Sequence, residues 1–301
     1  METNEIKWRR ARLELYEKLE QSAQDGLNRD AVLASRDLFV FDSSGQASPK
    51  KFTFEHEDDA VTVVCAEIPQ AAVRQWGEIT REILQAFQGE HGTASKLKDV
   101  YMSDQRIMHV TLFYTSHPDD LAPRRPDERK SDRLSREISL LRELTAEFDP
   151  IRMVPVKVML AASGAVLMLF QCVPIDKPSG EDRVYAEPKT KNAGSRAEFS
   201  VDLMRQTAQE MFPFVSKKSP NAIVHTTLAR VMSPDAFDEA ALTRVRETCQ
   251  RISQQLAVTN AHSSTNAFVV NQVWYVDESH FIRPTGHTTT VALGRSNEAD
   301  T

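Results

Sequence analysis

Two short segments of this chain are near copies of one another, and together they limit the folds open to it. One reads Ile107-Met108-His109-Val110-Thr111-Leu112, the other Ile223-Val224-His225-Thr226-Thr227-Leu228. Each is a short apolar run carrying a histidine, a threonine two residues later and then leucine, which is the pattern of a strand. Residues i and i+2 of a strand share a face, so His109 points with Thr111 and His225 with Thr227. The fold must therefore present two well-separated stretches of chain as strands with a polar face each.

The rest of the pattern mixes strands and helices. Val61–Ile68 is a β-branched run stopped by Pro69, followed by a helical stripe through Val73, Trp76, Ile79, Ile83 and Phe87. Ser131 or Asp132 is expected to cap a helix whose apolar face is Leu134, Ile138, Leu141 and Phe148. Val154–Met159 and Ala165–Cys172 read as a hairpin turning at Ser163-Gly164. A helix through Val201, Met204, Ala208 and Met211 ends near Pro213, and Ser233-Pro234 opens another running to Leu256. Strands at 267–276 and 288–293 close the chain. Strict βαβ alternation is missing, so the expected class is α+β with antiparallel sheets.

Residues 1–58 are expected to form an N-terminal extension, too short for a core of its own. It consists of an amphipathic helix over 4–24, with Trp8, Ala11, Leu15 and Leu19 on one stripe, and a Ser/Pro/acidic connector over 42–60. Residues 59–296 make up the main domain, carrying charged, proline-containing loops at 115–131 and 174–198.

The chemistry of the paired segments suits phosphate. A histidine with an ordinary pKa near 6.5 gives or takes a proton at neutral pH. A threonine hydroxyl on the same face donates to a non-bridging phosphoryl oxygen. Two such strands facing each other offer one base, one acid and two hydroxyl donors, a complete set for in-line attack without a metal. A single His-x-Thr is a weak signal, but two copies in predicted strands with matching neighbours are a strong one.

These paired motifs resemble the signature of the 2H phosphoesterase superfamily, two His-x-Thr/Ser-hydrophobic strands, which includes LigT-like RNA 2′,5′ ligase/phosphodiesterases and cyclic nucleotide phosphodiesterases. The stretch His225-Thr226-Thr227-Leu228-Ala229-Arg230-Val231 is close to the LigT-like form of the second motif, and Val63–Pro69 is similar to the family's opening strand and turn. The resemblance covers most of residues 60–295. It implies a bilobal α+β fold, with two antiparallel sheets flanked by helices around a central cleft. It also implies His109 and His225 as the acid–base pair, Thr111 and Thr227 as phosphate holders, Arg230 as a further phosphate contact, and no cofactor or metal. Which histidine is the base depends on reaction direction and stays open. The two long loops and the 1–58 segment depart from the compact family pattern and bear on substrate size.

Composition narrows the alternatives. With 37 basic against 43 acidic residues the net charge is −6, unsuited to coating long nucleic acid but compatible with a local basic cleft for one or two phosphates. The longest nearly apolar run, Val158–Phe170, is too short to span a bilayer, and no signal peptide is visible at the start. Cys65, Cys172 and Cys249 are spaced as free thiols, so an intracellular setting, cytoplasmic or nuclear, is expected. His56, His91, His117, His262, His280 and His287 show no metal-ligand spacing, and no Gly-rich phosphate loop occurs. Lys189, Lys191 and Arg196 are interleaved with acids and read as a solvated loop.

The expected function is metal-independent phosphodiester chemistry on an RNA end or a small cyclic or 2′,5′-linked nucleotide, by a monomer. The competing possibility is a nucleotide-binding module using the same cleft. The 4–24 helix is a candidate protein-docking surface.

Overall fold

In the computed structural model the described residues are 4–88, 98–173, 197–198, 201–220, 222–262 and 266–294. The chain begins with α1 (Asn4–Gln24) and α2 (Arg29–Arg36), followed by a small antiparallel pair, β1 (Phe39–Phe41) and β2 (Ala47–Pro49). The stretch expected to be a plain connector thus holds a strand, because Asp42 closes the turn. Its carboxylate accepts from the Ser44 and Gln46 N–H groups, with Gly45 in the left-handed region at φ 83°. β3 (Val61–Glu67) follows, buried on both faces through Ala66. The single stripe expected after Pro69 is broken at Trp76, giving α3 (Gln70–Gln75) and α4 (Gly77–Gln88). Next come β4 (Val100–Met102), one 3-10 turn at Gln105–Ile107, and β5 (His109–Ser116).

The next helix, α5 (Lys130–Ala146), starts before its expected cap. Ser131 and Asp132 lie inside its first turn, where the Asp132 carboxylate accepts from the Arg129 N–H. Phe148 lies past the helix in β6 (Phe148–Asp149), and the buried face of α5 includes Arg133 and Glu137 beside Leu141 and Leu144. β7 (Ile151–Leu160) and β8 (Ala165–Val173) form the expected hairpin, with Gly164 at φ 81° in its turn. Of the 174–198 loop, only β9 (Ala197–Glu198) is described, paired in parallel with β6. Lys189, Lys191 and Arg196 lie outside the described residues.

After α6 (Val201–Met211) and β10 (His225–Val231), α7 (Glu239–His262) starts at Glu239 and not at Ser233-Pro234. Asp238 is the cap: its carboxylate accepts from the Ala241 N–H at 2.8 Å, whereas Ser233 only closes a turn with Ala236. The chain ends in β11 (Phe268–Val270), β12 (Gln272–His280) and β13 (Arg283–Ala292). The strand expected over 267–276 is thus split in two at Asn271, with β12 continuing to His280, and β13 starts five residues earlier than expected because polar residues continue both strands.

Two antiparallel sheets dominate this mixed α+β arrangement. A five-stranded sheet has the order β11-β7-β8-β10-β4, and a four-stranded sheet the order β13-β12-β3-β5. One hydrophobic core joins them, with Val64, Leu112 and Phe113 from one sheet packed in the same cluster as Phe170, Leu228 and Val231 from the other. A second cluster seats Tyr16 and Ala23 of α1 on Met159, Ala161, Leu167 and Leu169 of the β7–β8 hairpin and its turn. The buried line of α1 therefore runs through Arg12, Tyr16 and Ala23, with Leu15 and Leu19 half-buried and Ala11 exposed. Among the described residues no helix is long and apolar enough to cross a membrane.

Candidate active site

The two motif strands share one burial rhythm. In β5, residues 109, 111 and 114 are half-buried while 110, 112 and 113 are buried; in β10 the same holds for 225, 227 and 230 against 226, 228 and 229. Plain alternation would send the fifth residue after each histidine to the opposite face. A bulge in each strand resets the alternation. Cys65 pairs with Thr111 and Val64 with Phe113, so β5 skips Leu112; Leu167 pairs with Thr227 and Val166 with Ala229, so β10 skips Leu228. Tyr114 and Arg230 are thereby returned to the face of their histidine and threonine.

Those two faces meet in one cleft of about 200 Å³. It is lined by His109, Thr111, His225, Thr227 and Arg230, all five residues selected from the sequence. Tyr101 from β4, Tyr114, Glu278 from β12, Asp104 and Arg283 complete its walls and were not selected. Tyr114 had a signal: the adjacent apolar pairs Leu112-Phe113 and Leu228-Ala229 break strand alternation at the same point of each motif.

The ring of His109 is held by its backbone neighbour. Its Nδ1 lies 3.0 Å from the Ile107 carbonyl oxygen, an acceptor only, so Nδ1 carries the hydrogen and Nε2 is left as an acceptor. Burial holds the His109 pKa below the usual histidine value. Burial, helped by the charges of His109, Arg205 and Arg230, pushes His225 down to about 4. Burial acts oppositely on the acids here. It raises the Glu278 carboxyl and the Tyr114 hydroxyl well above their ordinary values.

Three consecutive residues just before His225 each have a backbone group gripped by a side chain from a helix. Arg12 Nε donates to Ala222 O at 2.9 Å, Arg205 Nη2 donates to Ile223 O at 3.1 Å, and the Tyr16 hydroxyl accepts from the Val224 N–H at 3.1 Å. The same Arg205 guanidinium donates to Leu112 O at 2.6 Å and Thr111 O at 3.0 Å, so one buried side chain on α6 ties both motif strands together. Arg12, only 1% exposed, is fixed in turn by Gln171 and Asp202. The sequence offers no spacing signal for Arg12, Tyr16 or Arg205, because their partners are backbone groups remote along the chain.

No family model matches this chain, and neither does any curated protein. Solved structures do show similarity. Usb1 of Kluyveromyces marxianus is similar at a TM-score of 0.43 and 8% identity, over 78% of this chain and 98% of that one. The same protein with uridine monophosphate gives 0.39 and 9%, over 78% and 99%. A conserved protein of unknown function from Agrobacterium tumefaciens gives 0.47 and 13%, over 84% and 89%.

The remaining histidines that can be placed lie off the cleft lining. His117 meets the ring of Tyr114 edge-on at 4.9 Å, and His56, His280 and His287 are elsewhere. His91 lies outside the described residues. Among the described residues no three His, Cys, Asp or Glu side chains gather as a metal site.

Proposed function

We propose that this chain is a metal-independent phosphodiesterase acting on RNA ends or small nucleotides by paired-histidine general acid–base catalysis. The two sheets serve as its two lobes. The observation that carries this reading is the convergence of two His-x-Thr faces, each with the same bulge, on one cleft. His109 and His225 exchange the base and acid roles with reaction direction, and the Nδ1–H bond to Ile107 O makes Nε2 the nitrogen with which His109 does so. One ring takes the proton of a water or of a ribose 2′-hydroxyl as that oxygen forms its bond to phosphorus. The bond from phosphorus to the leaving oxygen breaks, and the other ring delivers a proton to that oxygen. The Thr111 and Thr227 hydroxyls donate to the non-bridging oxygens. A bound phosphate also relieves the repulsion between the two rings, raising both pKa values toward neutrality so that one ring can hold the proton it must give.

The test is turnover in EDTA by wild type and by the H109A/H225A double variant. The panel is a 2′,3′-cyclic nucleotide, a 2′,5′-linked dinucleotide and a 3′-hydroxyl oligouridylate. Turnover by wild type alone supports the reading and selects the substrate. Nucleotide binding without turnover on any of the three would replace the enzyme with a binding module.

A further inference from the structure

The pseudo-equivalent positions after the two bulges are not chemically equivalent, and this gives the cleft two unlike ends. Next to the first motif stand Tyr114 and Glu278, a phenol and a carboxyl that burial disfavours as anions. Next to the second stand Arg230 and Arg283, from different sheets. Arg230 pairs across the ladder with Tyr101, and Tyr101 in turn feels the charges of Arg283, Asp104 and Arg230, which gathers these four residues at one end.

Both guanidiniums are held in place without being used up. Arg230 gives Nη1 to Ser35 Oγ at 2.8 Å, and Arg283 gives Nη2 to Asp104 Oδ2 at 2.7 Å. The Nε of each has no partner among the described residues. Asp104 does not cancel them, since its oxygens also hold Arg106 at 2.7 and 3.0 Å. One carboxylate thus pairs with two guanidiniums while Arg230 bonds a hydroxyl, leaving this end cationic on a chain whose net charge is −6. Position matters too. With Leu228 skipped, Arg230 stands one two-residue step, about 7 Å, beyond Thr227 and two such steps, about 14 Å, beyond His225, a place suited to the group next to the one the histidines hold.

We propose that Arg230 and Arg283 form a second anion subsite, which takes a phosphate adjacent to the one held between the histidines. The favoured substrate is then an oligonucleotide end, or a nucleotide carrying a second phosphate, over a nucleoside cyclic monophosphate. This rests on reading the His-Thr faces as the seat of the scissile phosphate.

The experiment is calorimetric titration of the full chain with uridine 3′-monophosphate and uridine 3′,5′-bisphosphate, in wild type and R283Q, at several salt concentrations. Wild type is expected to bind the bisphosphate about tenfold more tightly, as a charge-assisted contact allows, and R283Q to bring the two within about twofold. The bisphosphate should also show the steeper salt dependence, a comparison made on wild type alone and so independent of how R283Q folds. Equal affinities in wild type, a ratio unmoved in a folded R283Q, or no binding of either nucleotide would overturn the subsite. Turnover on the diester panel is scored separately. Turnover without a bisphosphate preference rejects the subsite and keeps the enzyme; the preference without turnover does the reverse.

Discussion

Single residues carry the chemistry, and their environments set the sign of its pH dependence. Replacing either His109 or His225 by alanine should lower turnover by about 10² or more with the fold intact, as loss of a general acid or base does. Circular dichroism and a turnover assay check this, and near-wild-type activity in either variant would exclude the pair. Both ring pKa values lie below the usual 6.5 in the free site, His225 at about 4. The active form needs one ring protonated and one neutral, so kcat/KM should peak below pH 6.5 and fall as pH rises, because the doubly neutral form has no acid. Bound phosphate raises both values, so the kcat profile should sit to the alkaline side of kcat/KM. A kcat/KM profile that climbs through pH 8 would contradict this. These histidines and threonines were legible in the sequence because their chemistry and their i, i+2 spacing are local. Glu278 was not: a carboxylate at 8% exposure reads as an ordinary strand polar residue until β12 is laid beside β3.

At the scale of elements, the work is done by bulges and by backbone grips. The strands were legible from β-branching and alternation, and the skipped Leu112 and Leu228 left a trace as doubled apolar residues. Helix starts were less so. Ser233-Pro234 has the right residues for a start, yet Asp238 takes the cap, since only it reaches the free N–H of Ala241. The grip on residues 222–224 was invisible, because it depends on helices α1 and α6 arriving from elsewhere. It has a measurable consequence. Tyr16→Phe removes one hydroxyl at a site 2% exposed and leaves the Val224 N–H without that acceptor, which costs about 1–3 kcal/mol. The loss should appear mainly in kcat, through the placement of His225, with KM little changed. Arg205→Met should do more, since it removes three carbonyl contacts spanning both motif strands while keeping an apolar stem in the core. Kinetics beside a thermal melt separate the two effects. A melt that drops while kcat holds would make both residues purely structural.

For the whole molecule, the question is whether residues 4–24 are an appendage or part of the machine. The sequence suggested an amphipathic helix with its Trp8, Ala11, Leu15 and Leu19 stripe available for docking, whereas the line the structure buries inside the chain runs through Arg12, Tyr16 and Ala23. Tyr16 and Ala23 cover Met159, Ala161, Ala165, Leu167 and Leu169, while Arg12 reaches through to Gln171, Asp202 and Ala222. A fully buried apolar side chain contributes about 1.5–3 kcal/mol, so the helix supplies several kcal/mol to a total stability of about 5–15 kcal/mol. Its removal would also strip two of the three grips ahead of His225 and bare an apolar patch on β7–β8. A chain starting at Asp25 should therefore melt several degrees lower, bind a hydrophobic dye, and lose turnover by more than Tyr16→Phe alone. The comparison needs only melting, dye binding and turnover on both chains. If the shortened chain kept the full-length melt and full-length turnover, α1 would be an accessory, and its face would be open to a partner after all. The geometry argues against that outcome, because Arg12 is buried and satisfied only when α1 is seated on the sheet.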